Sequence, residues 1–235
     1  MTRAGRTGGV AGAGARVWRE AVWWLRDYAY AARWQLRAVL SRSADDAFRT
    51  GDRTPVVVVP GVFETWRFLQ PVIEALHRRG HPVHVIDVLR WNRRPVAEAA
   101  AQLDAYLEEH RLDGVVLLAH SKGGLVGKYA MSLGRSAPRI RSMLAVASPF
   151  GGSSYARFLL APSLRIFRPT DATIVALARQ EEVNARIVSV YARFDPHIPG
   201  GSRLAGARNV ALRTGGHFRI LAHPRVLAEL ALLAP

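Results

Sequence analysis

Cysteine is absent from this 235-residue chain, and its absence removes several kinds of chemistry at once. No disulfide framework, thiolate metal site or cysteine nucleophile can be built. Long apolar runs are absent as well, because no stretch reaches the roughly 18 residues that a membrane-spanning helix needs. Charged residues interrupt the N-terminal stretch before an apolar region of useful length forms, so no signal peptide is predicted.

Lysine is nearly absent, although the formal net charge is +15. Lys122 and Lys128 are the only lysines among 33 basic residues, and the arginines are scattered along the chain without a run of five. A nucleic-acid-binding surface normally clusters its basic residues. Because abundant Ala, Gly and Val accompany the arginines, we attribute the charge to a bias toward GC-rich codons and expect no nucleic-acid partner.

A regular alternation of strands and helices begins at about residue 55. The length and the 49% of hydrophobic residues suit one medium-sized domain with a real core. Short, continuously apolar strands separated by helices of ten or more residues predict a mostly parallel sheet with helices on both faces. Ligands bind at the carboxyl ends of the strands in such sheets. The predicted strands are 55–59, 83–88, 114–119, 140–148, 186–192 and 209–214, and the predicted helices are 66–79, 95–110, the segment after Ser121, and 224–233.

The N-terminal region stands apart from this alternation, so we divide the chain into residues 1–50 and a domain over 51–235. Residues 1–13 are predicted to be disordered, and a polar linker is predicted after residue 40. Between them, residues 15–40 predict one helix with four of the six tryptophans among arginines. Two interpretations stay open for this helix. It either touches a membrane surface or packs its aromatic side chains on the domain.

The stretch AHSKGG, Ala119 to Gly124, follows the third predicted strand and opens a helix. A serine at this place can simply cap the helix, but a cap does not require small residues on both sides. The pattern resembles the nucleophile elbow G-x-S-x-G of the α/β-hydrolase family, with alanine replacing the first glycine as in small bacterial lipases. The resemblance implies an α/β-hydrolase fold in which Ser121 is the nucleophile.

Two residues that follow later strands complete the pattern. Asp195 lies in FDPHIP and His217 lies in TGGHFRIL. Each is also common in turns, but the order Ser, Asp, His is that of the α/β-hydrolases, and the tail 189–221 is similar to that of small bacterial lipases. We therefore predict a catalytic triad of Ser121, Asp195 and His217. The competing bases are His110, His120, His197 and His223, of which His223 is the most serious.

The resemblance also implies an oxyanion hole and a cap. Its backbone N–H donors would be those of Lys122 and Val62, with Phe63 as the alternative to Val62. The segment 149–178 lies where this fold carries its cap. This apolar segment either accepts an acyl chain and excludes water, or simply covers the sheet.

Together these residues predict a serine hydrolase that cleaves carboxylic esters through an acyl-enzyme, with no metal and no organic cofactor. A thioesterase or acyltransferase with the same triad is one alternative, and a noncatalytic membrane-associated protein is another. The expected partner is a small-molecule or lipid ester, and the expected location is the cytoplasm, with peripheral membrane contact under the first interpretation of residues 15–40. If the triad is the function, deleting residues 1–45 should leave hydrolysis of soluble esters intact. If the helix is an anchor, the same deletion should abolish binding to liposomes.

Overall fold

A single six-stranded sheet forms the centre of the molecule. The computed structural model describes residues 8–40, 45–158 and 161–235. All strand pairings are parallel, in the order β2-β1-β3-β4-β5-β6. This arrangement confirms the predicted α/β class. The strands are β1 (Val56–Val59), β2 (Val83–Val85), β3 (Val115–His120), β4 (Ile140–Val146), β5 (Ile187–Phe194) and β6 (Arg208–Gly215).

Helices cover both faces of the sheet and bury its apolar side chains in two layers. Their bounds are α1 (Gly8–Leu40), α2 (Gln70–His77), α3 (Val96–Glu109), α4 (Lys122–Leu133), α5 (Pro162–Arg165), α6 (Ala172–Ala178) and α7 (Pro224–Leu233). Successive strand residues point to opposite faces. Val57 and Val59 therefore pack with α3, α4 and α6, whereas Val56 and Val58 pack with α2, α7 and part of α1.

Helix α1 is longer than the sequence predicted and lies on the domain. Residues 8–13, which were expected to be disordered, are helical, whereas residues 1–7 and the linker residues 41–44 lie outside the described residues. The helix contacts β6 and two short 3-10 helices, Trp66–Leu69 and Arg219–Ala222. In the described part of the chain, no helix combines the length and apolar character that crossing a membrane requires.

The segment predicted as a cap folds into short helices rather than one long one. A 3-10 helix, Ser154–Phe158, comes first, and α5 and α6 follow. Phe167 and the α6 residues Ile174 and Leu177 are buried in the core, so the second half of the segment covers the sheet. Phe158 in the first half is instead 69% exposed. Covering the sheet is one of the two roles that the sequence left open, and acceptance of an acyl chain by this segment stays a prediction.

Candidate active site

Ser121 occupies a sharp turn between β3 and α4. Its backbone has φ 50° and ψ −120°, a conformation that non-glycine residues rarely adopt. The side chain makes no helix-capping hydrogen bond, so the capping interpretation is wrong. A Cβ at Gly123 would collide with the backbone oxygen of Val59, and one at Gly124 would collide with the Ser148 side chain. The small residues after the serine are therefore required by the close approach of the helix to the sheet.

Three side chains at the carboxyl ends of β3, β5 and β6 form one hydrogen-bonded chain. The Ser121 Oγ lies 3.0 Å from Nε2 of His217, and Nδ1 of His217 lies 2.8 Å from Oδ2 of Asp195. The other oxygen of Asp195 accepts the backbone N–H groups of His197 and Ile198, at 2.8 and 3.1 Å. All three side chains are buried. The structure thus brings the three predicted residues together in the arrangement of a Ser-His-Asp triad.

The charges of the His217–Asp195 pair depend on one another. Burial alone would lower the pKa of His217, but the charge and hydrogen bond of Asp195 oppose it. Glu64 and Asp27 add their negative charges, and the pKa of the ring is raised above its ordinary value. Burial alone would raise the pKa of Asp195, but the charge and hydrogen bond of His217 and the N–H of His197 bring it below its ordinary value. An ionised Asp195 therefore holds the ring with Nδ1–H as donor, so that Nε2 of the neutral ring faces the serine.

The loop after β1 contains two candidate oxyanion donors, the N–H groups of Val62 and Phe63, and they differ in their hydrogen bonds. The Phe63 N–H already donates to the Trp91 carbonyl at 2.8 Å. The Val62 N–H, by contrast, has no acceptor within hydrogen-bond distance among the described residues. The N–H of Lys122 belongs to the first residue of α4, where no intrahelical partner exists. Val62 and Lys122 are thus the two predicted donors whose protons remain available.

The Lys122 side chain, by contrast, is hydrogen-bonded to the loop after β2. Its Nζ donates to the carbonyl oxygens of Asn92, at 2.7 Å, and Arg94. Burial lowers the pKa of this ammonium group to about 8. The Asn92 side chain in turn donates to the Pro60 carbonyl at 2.7 Å. The lysine therefore stabilises the loop after β2, and through Asn92 that loop is hydrogen-bonded to the loop that carries Val62.

The rival histidines have other partners. His223 caps α7 by accepting the Arg225 N–H, and His110 packs against Tyr106 with 4.1 Å between the ring centroids and 46° between the ring planes. His197 lies beside the triad, 4.7 Å from the His217 ring, but it faces neither the serine nor Asp195 through a ring hydrogen bond. Burial and the neighbouring His217 lower the pKa of His197 to about 4.

His120 and Glu64 form a buried pair behind the triad that sequence reasoning missed. Nδ1 of His120 lies 2.8 Å from the Glu64 carboxylate, and Nε2 lies 3.1 Å from the backbone oxygen of His217. Glu64 also accepts the Gly61 N–H at 2.8 Å. The pair therefore connects the loop after β1 to the backbone of the triad histidine.

Asp27 of α1 is the second residue that sequence reasoning missed. Its fully buried carboxylate accepts the backbone N–H groups of His217, Phe218 and Arg219, at 2.8, 2.9 and 2.7 Å. The sequence held one signal for this contact, the glycine pair in front of His217. A Cβ at Gly215 or Gly216 would collide with the side chains of α1.

An apolar cavity of about 730 Å³ opens above the triad. Its size is within the range of small-molecule sites. The α1 helix forms one wall and the predicted cap forms another, with Ser121 and His217 between them. Within the described residues, no group of three His, Asp or Glu side chains is placed to hold a metal ion. The α1 wall consists of Tyr28, Ala31, Ala32 and Gln35, and the cap wall includes Tyr155, Ala156, Leu164 and Phe167.

The chain has an α/β-hydrolase fold, and its site has a Ser-His-Asp arrangement. No protein-family model matches the chain, and no curated protein matches it in sequence. Among solved structures, a lipase from Bacillus licheniformis in its mature form superposes with a TM-score of 0.66 at 16% identity, covering 81% of this chain and 97% of that one.

Two further structures show the same likeness. A monoacylglycerol lipase from Paleococcus ferrophilus gives a TM-score of 0.59 at 19% identity, over 79% of this chain and 95% of that one. An α/β-hydrolase fold protein from Burkholderia ambifaria gives 0.54 at 18% identity, over 78% and 91%. At these identities the likeness shows the fold, and it confirms the predicted structural resemblance to bacterial lipases and esterases.

Proposed function

We propose that this protein hydrolyses carboxylic esters, with Ser121 as nucleophile, His217 as general base and Asp195 as the residue that orients the base. The observation that carries the proposal is the continuous hydrogen-bonded chain from Ser121 through His217 to Asp195, set in the floor of an apolar cavity. A serine hydroxyl becomes an effective nucleophile when a base is positioned to take its proton.

The reaction proceeds in two halves. In the first, Nε2 of His217 takes the Ser121 proton while Oγ attacks the ester carbonyl, and the N–H groups of Val62 and Lys122 stabilise the oxyanion. His217 then gives the proton to the departing alcohol, which leaves an acyl-serine. In the second half, His217 takes a proton from water, the resulting hydroxide attacks the acyl carbonyl, and the carboxylic acid leaves as Ser121 regains its proton.

The cavity favours an ester with an apolar acyl chain over an acetyl ester. Its walls from α1 and the cap carry mainly alanine, leucine and aromatic side chains. Burial of each acyl methylene is favourable by about 0.8 kcal/mol. Two of the superposing structures are described as a lipase and a monoacylglycerol lipase, which supports a lipid-like ester as substrate class.

A series of p-nitrophenyl esters from acetate to dodecanoate tests this function. We expect kcat/KM to rise with chain length beyond acetate and then to level off as the cavity fills. Rapid mixing should release a burst of p-nitrophenol equivalent to the enzyme, because we expect the acyl-enzyme to form faster than water hydrolyses it. Mass spectrometry after treatment with a fluorophosphonate should place the label on Ser121.

The absence of turnover and of labelling in the folded protein would reject the proposal. Turnover that appears only with thioesters, or product that appears only when an alcohol acceptor is added, would instead identify a thioesterase or an acyltransferase.

We also propose that the exposed face of α1 attaches the protein to anionic membrane surfaces. Trp18, Leu25 and Leu36, which are 73%, 65% and 60% exposed, follow one another at spacings of 7 and 11 residues and so share one face of the helix. The exposed Arg26 and Arg33 lie beside this face, both on the same side of it. Apolar side chains bordered by arginines suit insertion at the level of anionic lipid headgroups. Because the same helix forms a wall of the cavity, an attached protein would receive a lipid ester directly.

Vesicle sedimentation tests this attachment. We expect binding to phosphatidylcholine vesicles that contain phosphatidylglycerol, and a partition coefficient about tenfold lower in the double variant Trp18→Ala/Leu25→Ala, which has lost two apolar side chains from the face. Leu232→Ala on α7, which also removes an exposed leucine, is the control and should bind normally. The proposal is rejected if the wild type stays in the supernatant or if both variants bind alike.

A further inference from the structure

The carboxylate of Asp27 holds the start of the loop that carries the triad histidine. Three consecutive backbone N–H groups, from His217 to Arg219, converge on its two oxygens. Its side chain is completely buried, and burying a carboxylate is costly unless hydrogen bonds replace its water. Hydrogen bonds to an ionised acceptor are about twice as strong as neutral ones, so the three bonds offset that cost together.

The contact fixes the histidine backbone and leaves its ring free for the triad. Among the described residues, Asp27 accepts hydrogen bonds from main-chain N–H groups, whereas Nδ1 of the His217 ring is bound by Asp195. The two carboxylates therefore act on different parts of His217. Asp195 sets the rotation and tautomer of the ring, and Asp27 fixes the position of the backbone.

The glycine pair before the histidine allows α1 to come this close. Gly216 has φ +124°, and a Cβ there would collide with the Asp27 carboxylate. A Cβ at Gly215 would collide with the Trp23 ring. No other residue could occupy either position without separating the helix from the loop.

We propose that Asp27 is a positioning residue for the reaction, which makes helix α1 an integral part of the catalytic apparatus. This inference rests on the proposed hydrolase function. A base displaced by about 1 Å from its productive position can cost on the order of 100-fold in rate. The triad histidine has no such freedom while its own N–H and the two that follow are bound to Asp27.

The charge of Asp27 also acts on the histidine ring. The groups that face His217 are the carboxylates of Asp195, Asp27 and Glu64 and the rings of His197 and His120, which lie 4.7 and 5.0 Å from it. A negative charge favours the protonated ring, so Asp27 contributes to the raised pKa of His217. Its removal lowers that pKa, and the ring then stays neutral to lower pH.

Two variants of the full-length protein separate position from charge. Asp27→Asn keeps the size but loses the charge and turns an NH₂ group toward the backbone donors. We expect its kcat for a p-nitrophenyl ester to fall about 10- to 100-fold with little change in KM. The acid limb of its kcat/KM profile should move to lower pH.

Asp27→Glu keeps the charge and lengthens the side chain, so kcat should fall while the acid limb stays in place. Glu20→Gln, which removes a half-buried acid from the same helix, is the control and should match the wild type.

Hydrogen exchange of the wild type gives a readout that needs neither substrate nor variant. The amides of His217, Phe218 and Arg219 should be protected, in contrast to that of the exposed loop residue Gly200. A folded Asp27→Asn protein with wild-type kcat and an unmoved acid limb overturns the proposal, as do freely exchanging amides in the wild type. If Asp27→Asn does not fold, the kcat of Asp27→Glu decides instead, and a wild-type value overturns the proposal.

Protected amides in a protein that turns over no ester and takes no fluorophosphonate label would reject the hydrolase function, and with it the positioning role of Asp27. The contact between Asp27 and the backbone would remain established.

Discussion

Ser121→Ala is expected to lower kcat for p-nitrophenyl esters by a factor of about 10⁴ or more, and to abolish the burst. The variant removes the only oxygen that lies within hydrogen-bond distance of Nε2 of His217 in the described part of the chain. The base then has no nucleophile to deprotonate, and no acyl-enzyme can form. Because the methyl group fits the space of the hydroxymethyl group, the fold should persist. The measurement is burst and steady-state kinetics, with the unfolding temperature recorded for each protein.

Ser132→Ala is the matched control for this loss. Ser132 lies on the same helix, α4, and its hydroxyl donates to the Lys128 carbonyl at 2.7 Å, away from the cavity. Its removal should leave kcat and the burst unchanged. Equal turnover by Ser121→Ala and the wild type would reject Ser121 as nucleophile.

Asp195→Asn is expected to lower kcat by about 10⁴ while changing KM little. The oxygen that accepts from Nδ1 of His217 would be replaced by an NH₂ group, which needs an acceptor there. The ring would then carry its proton on Nε2 and could no longer accept the proton of Ser121. The other side-chain oxygen can still accept the His197 and Ile198 N–H groups, so the loop should keep its shape. The pH dependence of kcat, measured beside the wild type, checks the result.

The control for this variant is Asp113→Asn. Asp113 forms an ion pair with Arg139 on the surface, where its side chain is 70% exposed. Such pairs contribute little to stability, and this one is remote from the cavity, so kcat should stay at the wild-type value. A kcat for Asp195→Asn within a few fold of the wild type would show that another group orients the base.

The sheet and the triad residues were predictable because their signals are local. Each strand is a short apolar run between turn residues, and all six predicted strands are present with ends shifted by a few residues. Ser121 stands in a recognisable sequence of small residues, because the strand and the helix on either side of it must approach closely. Asp195 and His217 follow their strands in the expected order, and parallel strands bring their carboxyl ends to one edge of the sheet.

The buried partners of the site left almost no local signal. The sequence offers His120 only as a competing base and gives no role to Glu64, because the two are 56 residues apart and meet only in the folded chain. Packing likewise decided that the second half of residues 149–178 covers the sheet, since burial of Phe167, Ile174 and Leu177 depends on the sheet beneath them.

The sequence by itself determined the α/β class and the three residues, Ser121, Asp195 and His217, that the structure brings into one hydrogen-bonded chain, because each depends on neighbours within a few positions. The place of the N-terminal helix was decided only by the tertiary structure. The expectation that residues 1–45 could be removed without loss treated this helix as separate, but its Asp27 binds a backbone N–H group 190 residues away, and its Tyr28 lines the cavity. Main-chain donors are the same in every sequence. The sequence around residues 217–219 therefore gives no sign that Asp27 binds three of its N–H groups. The two glycines at 215 and 216, which allow the helix to approach, are the exception.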